Sequence, residues 1–368
     1  MKLSSIIVFI AILFIQTINA TSFNVGVLYP INKNGNSYIG AESICVVEGL
    51  LKEYRNPKLS IKYKVYDTEQ NSSTTMKSVM QMVKDKVDLV VGTTYSTTAI
   101  VASKVLSKKN IPFIVPTATN PSVTKNSKST IRACYDDHVQ GQKLAKFSID
   151  KKRRNILVLK NLSRPFSSFL ADEFLKEIHK SAPSVKTEVY ELIDGDMNYQ
   201  EIVEKIKKNQ YDLIFTTLVA SKSALLYKSI NKEKLTPMIL GTDSIGGRKS
   251  FFDILGKAHK GLDFFFAAQW DGKLRGPHIR EFKTIFKKYC KGYDPTMMAV
   301  SAFDILKMAL LTLDKLPKKR KLALINEIKK REYIGLRNKL IFTNRNTPDA
   351  PIYIKKIIKD TVLSVKSL

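Results

Sequence analysis

Short apolar segments alternate with longer amphipathic segments from residue 23 onwards. The apolar segments predict strands at 23–29, 59–66, 87–92, 111–115, 130–133, 155–160, 185–191, 211–216, 237–241 and 262–267. The amphipathic segments predict helices at 39–54, 74–84, 97–108, 137–150, 166–180, 199–209 and 220–231. Strands separated by helices are typical of βαβ units and parallel sheets. The two series of strands therefore predict an α/β fold with two doubly wound parallel-sheet lobes.

The alternation ends after residue 268. The remaining pattern predicts helices at 276–289 and 295–313 with no strand between them, then short strands at 340–342, 351–358 and 361–365. We expect the helical pair to pack back on the first lobe, so that the chain crosses between lobes near 134–137, 268 and 343–348. Such crossings make a hinge, and two hinged lobes make a cleft that closes on a ligand. The predicted limits are 21–135 plus 268–344 for the N-terminal lobe and 136–267 plus 345–368 for the C-terminal lobe.

The first twenty residues have the pattern of a secretory signal peptide. Lys2 supplies a positive charge, residues 6–15 are apolar, and a short polar segment ends at Ala20. Cleavage would leave Thr21 as the first mature residue and place the protein in the periplasm or outside the cell. The alternative is an uncleaved membrane anchor. A lipid anchor is not expected, because no cysteine follows the apolar segment.

The cysteines do not follow a recognisable pattern. An exported protein meets an oxidising compartment, yet this chain has only Cys45, Cys134 and Cys290. Their odd number and wide spacing are typical of neither a disulfide framework nor a zinc site. Cys45 lies in an apolar helical segment and Cys134 at a strand end, so we expect small buried apolar residues there.

The chain is strongly basic, with a formal net charge of +28. The excess is mostly lysine and is spread along the sequence, with the densest runs at 151–154 and 318–321. Neither run contains interleaved aromatic residues, as a groove for single-stranded nucleic acid would. We therefore expect a solvated lysine-rich surface and no nucleic-acid partner. The charge would still attract anionic surfaces and anionic ligands.

Two strand-to-helix turns carry the candidate chemistry. They are VVGTTYSTTAI at 90–100 and IPFIVPTATNPSVT at 111–124. In each, an apolar strand runs into small hydroxyl residues, which cap helices and, with free backbone N–H groups, bind anions. Parallel strands would bring both turns to the same carboxyl edge of a sheet, where α/β folds bind ligands. The alternative is a pair of ordinary capped helices.

An ordered series of motifs resembles the type I periplasmic solute-binding proteins, and within them the leucine/isoleucine/valine-binding and amide-binding group. The resemblance extends over nearly the whole mature chain. The motifs are Tyr38, Tyr66-Asp67, Val91-Gly92 with Ser96, Pro112 with 116–121, Arg132 with Asp137 and Gln140-Gly141, Gly241-Thr242-Asp243, Tyr293-Asp294-Pro295 and Ala302-Phe303-Asp304.

The resemblance implies a clamp for a zwitterion. Ser96 and Thr119 would hold the ligand carboxylate, and the backbone carbonyl of Thr117 would accept from the ligand ammonium. Asp243 would pair with that ammonium from the other lobe, although a helix N-cap is the alternative role for it. Lobe closure would bring these groups together in a low dielectric, which strengthens charged hydrogen bonds.

This chain departs from the family at the ligand side chain. Phe166 stands where the family usually has a tyrosine, and it can pack on a ligand without hydrogen bonding to it. Val219 stands where amino-acid binders often have an aromatic or polar residue. Tyr95, beside Ser96, adds bulk to the cleft. With Tyr38 and Thr97, these residues complete the candidate ligand-binding set and leave the side-chain specificity open.

No catalytic motif accompanies these features. The sequence contains no G-x-x-x-x-G-K-[ST], H-E-x-x-H or G-x-S-x-G, and its histidines lie far apart. We therefore expect no catalytic residues, no metal and no cofactor. The expected protein is a monomeric solute-binding protein that passes a small amino acid or related polar ligand to an inner-membrane ABC permease. The alternatives are a sensor of the same fold that feeds a membrane kinase or chemoreceptor, and a non-binding scaffold.

Overall fold

The computed structural model describes residues 21–31, 38–245, 249–256, 263–316, 321–343, 345–358 and 361–368. Its strands are β1 (Thr21–Tyr29), β2 (Leu59–Asp67), β3 (Leu89–Gly92), β4 (Phe113–Val115), β5 (Thr130–Arg132), β6 (Asn155–Asn161), β7 (Lys186–Leu192), β8 (Leu213–Thr216), β9 (Met238–Gly241), β10 (Phe264–Ala268), β11 (Tyr333–Ile334), β12 (Lys339–Leu340), β13 (Tyr353–Ile358) and β14 (Thr361–Ser367). Its helices are α1 (Tyr38–Glu53), α2 (Ser72–Lys84), α3 (Ser96–Lys108), α4 (Asp137–Asp150), α5 (Pro165–Ser181), α6 (Tyr199–Asn209), α7 (Ala220–Lys232), α8 (Lys249–Leu255), α9 (Ile279–Tyr289), α10 (Met297–Leu313) and α11 (Lys321–Lys329).

The predicted signal peptide at 1–20 lies outside the described residues. Within the ranges given above, every helix falls short of the length or the apolar character that a bilayer span needs.

The first sheet contains β2, β1, β3, β4 and β5 in this order, and each neighbouring pair is parallel. β3 and β4 are buried along their whole length, because helices cover both faces of the sheet. On one face α1, α9 and α10 pack around Val47, Phe282 and Phe303. On the other face α2 and α3 pack around Met82 and Leu106. This explains why the strands are continuous apolar runs in the sequence.

The second sheet has the order β14-β13-β10-β9-β8-β6-β7. Strands β6 to β10 pair in parallel, whereas β13 and β14 add antiparallel to the β10 edge. Helices α4 and α5 cover one face around Leu144 and Phe174. Helices α6, α7 and α8 cover the other around Ile206, Tyr227 and Phe251. The two sheets confirm the predicted α/β fold with two parallel-sheet lobes.

The chain passes repeatedly between the two sheets. After β5 it enters α4, which packs on the second sheet. After β10 it enters α9 and α10, which pack on the first sheet. After the small β11-β12 hairpin it reaches β13 in the second sheet. These connections lie close to the crossings expected from the sequence, and the exact lobe limits stay a prediction.

The sequence pattern did not predict α8, α11 or the strand β11. Leu324, Ile325 and Ile328 of α11 are buried in the first-lobe core, and their spacing is that of one helix face. This signal was present but weak, because the helix has only 9 residues. β11 has 2 residues and is defined by its pairing with β12, which no local pattern reveals.

A disulfide joins Cys45 in α1 to Cys290 at the end of α9, with a Cα–Cα distance of 5.4 Å. The expectation that these cysteines are unpaired was wrong. The partners are 245 residues apart in sequence, and only the packing of α1 against α9 brings them together. Cys134 is a buried free thiol, as expected.

Replacing Cys45 and Cys290 together by serine should lower the free energy of unfolding by about 2–5 kcal/mol, because the bond restricts the unfolded chain. Urea denaturation of the wild type and the double variant measures the difference. A reducing agent should lower the wild-type stability to that of the variant and leave the variant unchanged. If the wild type and the double variant are equally stable without a reducing agent, the disulfide is absent or does not stabilise the fold.

Candidate ligand-binding cleft

A cavity lies between the carboxyl ends of the strands of the two sheets. One wall consists of the turns after β3 and β4, with residues 94–97 and 117–119. The remaining lining comes from the segments after β6, β8, β9 and β10 and from the start of α10: Arg164, Phe166, Val219, Asp243, Ser244, Gln269, Met297 and Met298. Because α/β sheets bind ligands at this edge, the cavity is the candidate site.

The cavity brings together most of the residues that the sequence predicted. Those that line it are Tyr95, Ser96, Thr97, Thr117, Thr119, Phe166, Val219 and Asp243. Tyr38 begins α1, and its side chain lies outside the described residues. The roles of all these residues in ligand binding stay predictions.

Other lining residues were missed by the sequence reasoning. Thr94 and Gln269 follow strand ends closely, and this is the signal that pointed to Ser96. Met297 and Met298 carry no such signal, because α10 reaches the cavity from a distant part of the chain. Their contribution depends on how α10 packs against the first sheet.

The turn after β3 is not the hydroxyl-capped helix that the sequence allowed. The residue before α3 is Tyr95, and its side chain makes no capping hydrogen bond. Ser96 is buried, and its Oγ accepts the Asn120 N–H at 3.2 Å, which leaves its own proton for another acceptor. Thr94 is 5% exposed, and its Oγ1 is buried without a hydrogen-bond partner. A hydroxyl without a partner beside a helix N-terminus is a suitable place for an anion.

The turn after β4 connects the two walls of the cavity. Asn120 caps the short 3-10 helix Pro121–Val123, and its Nδ2 donates to the Pro165 carbonyl of the second lobe at 2.8 Å. Thr119 is buried, its carbonyl accepts the Asp137 N–H at 3.0 Å, and its hydroxyl bonds the Asp137 carboxyl. The polar groups of this turn are therefore held in position by contacts from the opposite lobe.

Asp243 lies after β9 and is held by two glutamine amides. Its Oδ2 accepts Gln269 Nε2 at 2.6 Å, and its Oδ1 accepts Gln140 Nε2 at 3.3 Å. The Asp243 N–H donates to Gln140 Oε1 at 3.0 Å. Gln269 Nε2 also donates to the Thr117 carbonyl at 3.0 Å. The two acceptors that the resemblance assigns to a ligand ammonium thus share one side-chain amide.

A second acid lies close to Asp243 but is fully buried. Burial raises the pKa of the Asp137 carboxyl well above its usual range, and the nearby Asp243 raises it further. Thr119 and Arg132 act in the opposite direction. Asp137 Oδ1 accepts Gln140 Nε2 at 3.2 Å, whereas Oδ2 has no partner. The site therefore favours the neutral form of Asp137.

Besides Arg164 and Ser244, which are polar, the rest of the cavity lining is largely apolar. Phe166 is the second residue of α5, and Val219 precedes α7. Met297 and Met298, at the start of α10, are buried. This surface suits a hydrocarbon or aromatic body, while the hydroxyls of the first wall suit an anion. Among the residues that the structure describes, no group of three or more His, Cys, Asp or Glu side chains is arranged to hold a metal ion.

A family model described as "Periplasmic binding protein" matches residues 56–361. The chain belongs to this family. As a periplasmic binding protein, it is a solute-binding protein and not an enzyme.

Known proteins resemble this periplasmic binding protein over different shares of its length. The Leu/Ile/Val-binding protein homolog 3 of Brucella melitensis is 22% identical over 253 residues, which are 67% of each chain. Two further relatives of this kind are matched over 45% and 53% of their length. A leucine binding protein of Thermotoga maritima has a TM-score of 0.85 at 17% identity, covering 94% of this chain and 98% of that one.

A solute binding protein of an ABC transporter from R. palustris, in complex with 4-hydroxybenzoate, has a TM-score of 0.81 at 16% identity. The alignment covers 95% of this chain and 97% of that one. At such identities the two structural similarities show the fold alone.

Asp137→Asn should remove a pH dependence of stability. The pKa of Asp137 is raised in the folded protein, whereas in the unfolded chain it is about 4. The protonated carboxyl therefore contributes its full stability below about pH 4. This contribution is lost as the pH rises towards the pKa of the folded state. The stability of the wild type relative to the variant should therefore fall as the pH rises above about 4. Urea denaturation at several pH values measures this difference. Asp349→Asn, at an exposed position, should keep the wild-type slope. If the difference in free energy of unfolding between the wild type and Asp137→Asn stays constant with pH, the raised pKa of Asp137 is wrong.

Proposed function

We propose that this protein captures a small solute with a carboxylate group, such as an amino acid or a related acid, and delivers it to an ABC permease. The observation that carries the proposal is the cavity between the two sheets, with a partnerless buried hydroxyl on one wall.

The first wall supports the choice of a carboxylate. Thr94 Oγ1 lacks a partner, Ser96 Oγ retains a proton to donate, and α3 begins there without a side-chain cap. These donors converge at one helix N-terminus, where the helix dipole favours negative charge. The residues of this wall, 94–97 and 117–119, include no acidic side chain that would repel an anion.

Contacts across the cavity support capture by lobe closure. Asn120 Nδ2 of the first lobe donates to the Pro165 carbonyl of the second, and Gln269 joins Thr117 to Asp243. Such contacts form only when the lobes are close, so a ligand that adds further contacts across the cavity would favour the closed state. The closed shape is what a permease can distinguish from the open one.

The disulfide supports an extracytoplasmic location. Disulfides persist in oxidising compartments and are rare in the cytosol. The Cys45–Cys290 bond therefore agrees with export through a signal peptide that is cleaved after Ala20. N-terminal sequencing of the mature protein, which should begin at Thr21, tests the cleavage.

A thermal-shift screen tests the proposed ligand class. Residues 21–368 are unfolded and refolded to remove carried ligand, then screened against amino acids, aliphatic acids and aromatic acids. A ligand at about 100 times its Kd should add about 2.7 kcal/mol of stability. If no carboxylate stabilises the protein, the proposed function is wrong. Delivery is tested in liposomes that contain the cognate permease and ATPase, where liganded protein should stimulate ATP hydrolysis more than empty protein.

Thr94→Val should change the empty and the liganded protein in opposite directions. Removing a buried hydroxyl without a partner should raise the free energy of unfolding of the empty protein by about 1–3 kcal/mol. Removing a donor to the ligand carboxylate should weaken binding by about 1.5–3 kcal/mol, roughly 10- to 100-fold. Urea denaturation and calorimetric titration with a carboxylate from the screen measure the two effects.

Thr75→Val is the matched control. Thr75 is equally buried, but its hydroxyl donates to the Asn71 carbonyl in α2, away from the cavity. This variant should lose stability and keep its affinity. If Thr94→Val binds the carboxylate with wild-type affinity, Thr94 does not contact the ligand carboxylate.

A further inference from the structure

A single glutamine joins the two walls of the cleft. Gln269 follows β10, lines the cavity and is 3% exposed. Its Nε2 donates one hydrogen bond to the Thr117 carbonyl at 3.0 Å and one to Asp243 Oδ2 at 2.6 Å. A neutral amide nitrogen of the protein therefore occupies the position from which a ligand ammonium would bridge these two acceptors.

The neighbours of this amide determine its orientation. Its Oε1 accepts Arg337 Nη1 at 3.4 Å, and Arg337 is buried. Arg337 is itself held by the Ala133 carbonyl at 2.8 Å and by Asp304 Oδ2 at 3.6 Å. Turning the amide over would direct Oε1 at a carbonyl and a carboxylate, neither of which can donate. Nε2 therefore remains directed at Thr117 and Asp243.

We propose that Gln269 takes the place of a ligand ammonium, so that the cleft selects carboxylic acids without an α-amino group over the corresponding amino acids. This inference rests on the proposed function, because it needs a ligand carboxylate at Thr94 and Ser96. It identifies Gln269 as the residue that determines specificity at this end of the cavity.

An ammonium nitrogen could bridge Thr117 and Asp243 in the same way only by displacing the Gln269 amide nitrogen, which already lies between them. The Gln269 Nε2 would then lose both partners inside a buried site, and a buried polar group without a partner opposes binding. The other Asp243 oxygen accepts a hydrogen bond from Gln140 Nε2 at 3.3 Å. An acid without the amino group leaves all these bonds in place and needs only the hydroxyls of the first wall.

The apolar lining indicates the body of the ligand. Phe166, Val219, Met297 and Met298 border the cavity and present no charge. A branched aliphatic or aromatic group fits such a surface. The selected class is therefore a carboxylic acid with an apolar body.

Ligand pairs that differ only in the α-amino group test the proposal. Calorimetric titration of refolded 21–368 compares 3-phenylpropanoate with phenylalanine, and 4-methylpentanoate with leucine. In each pair we expect the acid to bind about tenfold more tightly or better, which corresponds to about 1.4 kcal/mol. Amino acids that bind as tightly as their deaminated partners would overturn the inference and leave the proposed function standing. No binding by any carboxylate would overturn both.

Two variants test the residue itself. Gln269→Ala removes the amide and leaves space, and Gln269→Met removes it at nearly the same length. Each should shift the preference towards the amino acid by about tenfold, since Thr117 and Asp243 become available. Adding Asp243→Asn to either variant should abolish that shift. An unchanged preference in whichever variant folds, as judged by circular dichroism, would overturn the inference. Gln200→Ala, which removes an exposed amide from α6, should keep the wild-type preference.

Discussion

The covering of both sheet faces by helices is the constraint on which the rest of this structure depends. The central strands β3, β4, β8, β9 and β10 are buried along their full length. Polar side chains are costly on such strands, because they would lack hydrogen-bond partners. They accumulate instead where the strands end. Since parallel strands end at one edge, each sheet presents a single polar edge, and the cleft lies where the two edges face each other.

The inner part of the cleft depends on a second constraint, the need to satisfy buried polar groups. Gln140, Asp243, Gln269, Arg337 and Asp304 form a connected set of hydrogen bonds and one ion pair, and each is at most 8% exposed. Burial raises the pKa of Asp304 to about 6, although the Arg337 guanidinium opposes the shift. Since each group holds the next, the set fixes the direction of the Gln269 amide at the cavity.

Much of the fold was predictable because its signals are local. The apolar runs that became β1 to β10 and the amphipathic segments that became α1 to α7 were recognised with errors of a few residues at their ends. The hydroxyl-rich turns that contain Ser96 and Thr119 were also local predictions, whereas the choice of these two residues came from the resemblance to the family. α11 and β11 were missed, since a short helix and a two-residue pair have little sequence signal of their own. The cysteine pair was mispredicted, because its partners meet only when α1 packs on α9.

The sequence by itself determined the α/β class, the two series of strands and the hydroxyl-rich turns that line one wall of the cleft. These follow from periodicity and turn chemistry, which act between neighbours in the chain. Only the tertiary structure decided which groups share the cavity. It brought Gln269 to Thr117 and Asp243, left the Thr94 hydroxyl without a partner and placed Met297 and Met298 at the cavity. The physical reason is that hydrogen-bond partners and burial depend on how the chain crosses between the lobes. Contacts between residues far apart in sequence leave no signal in the local sequence pattern.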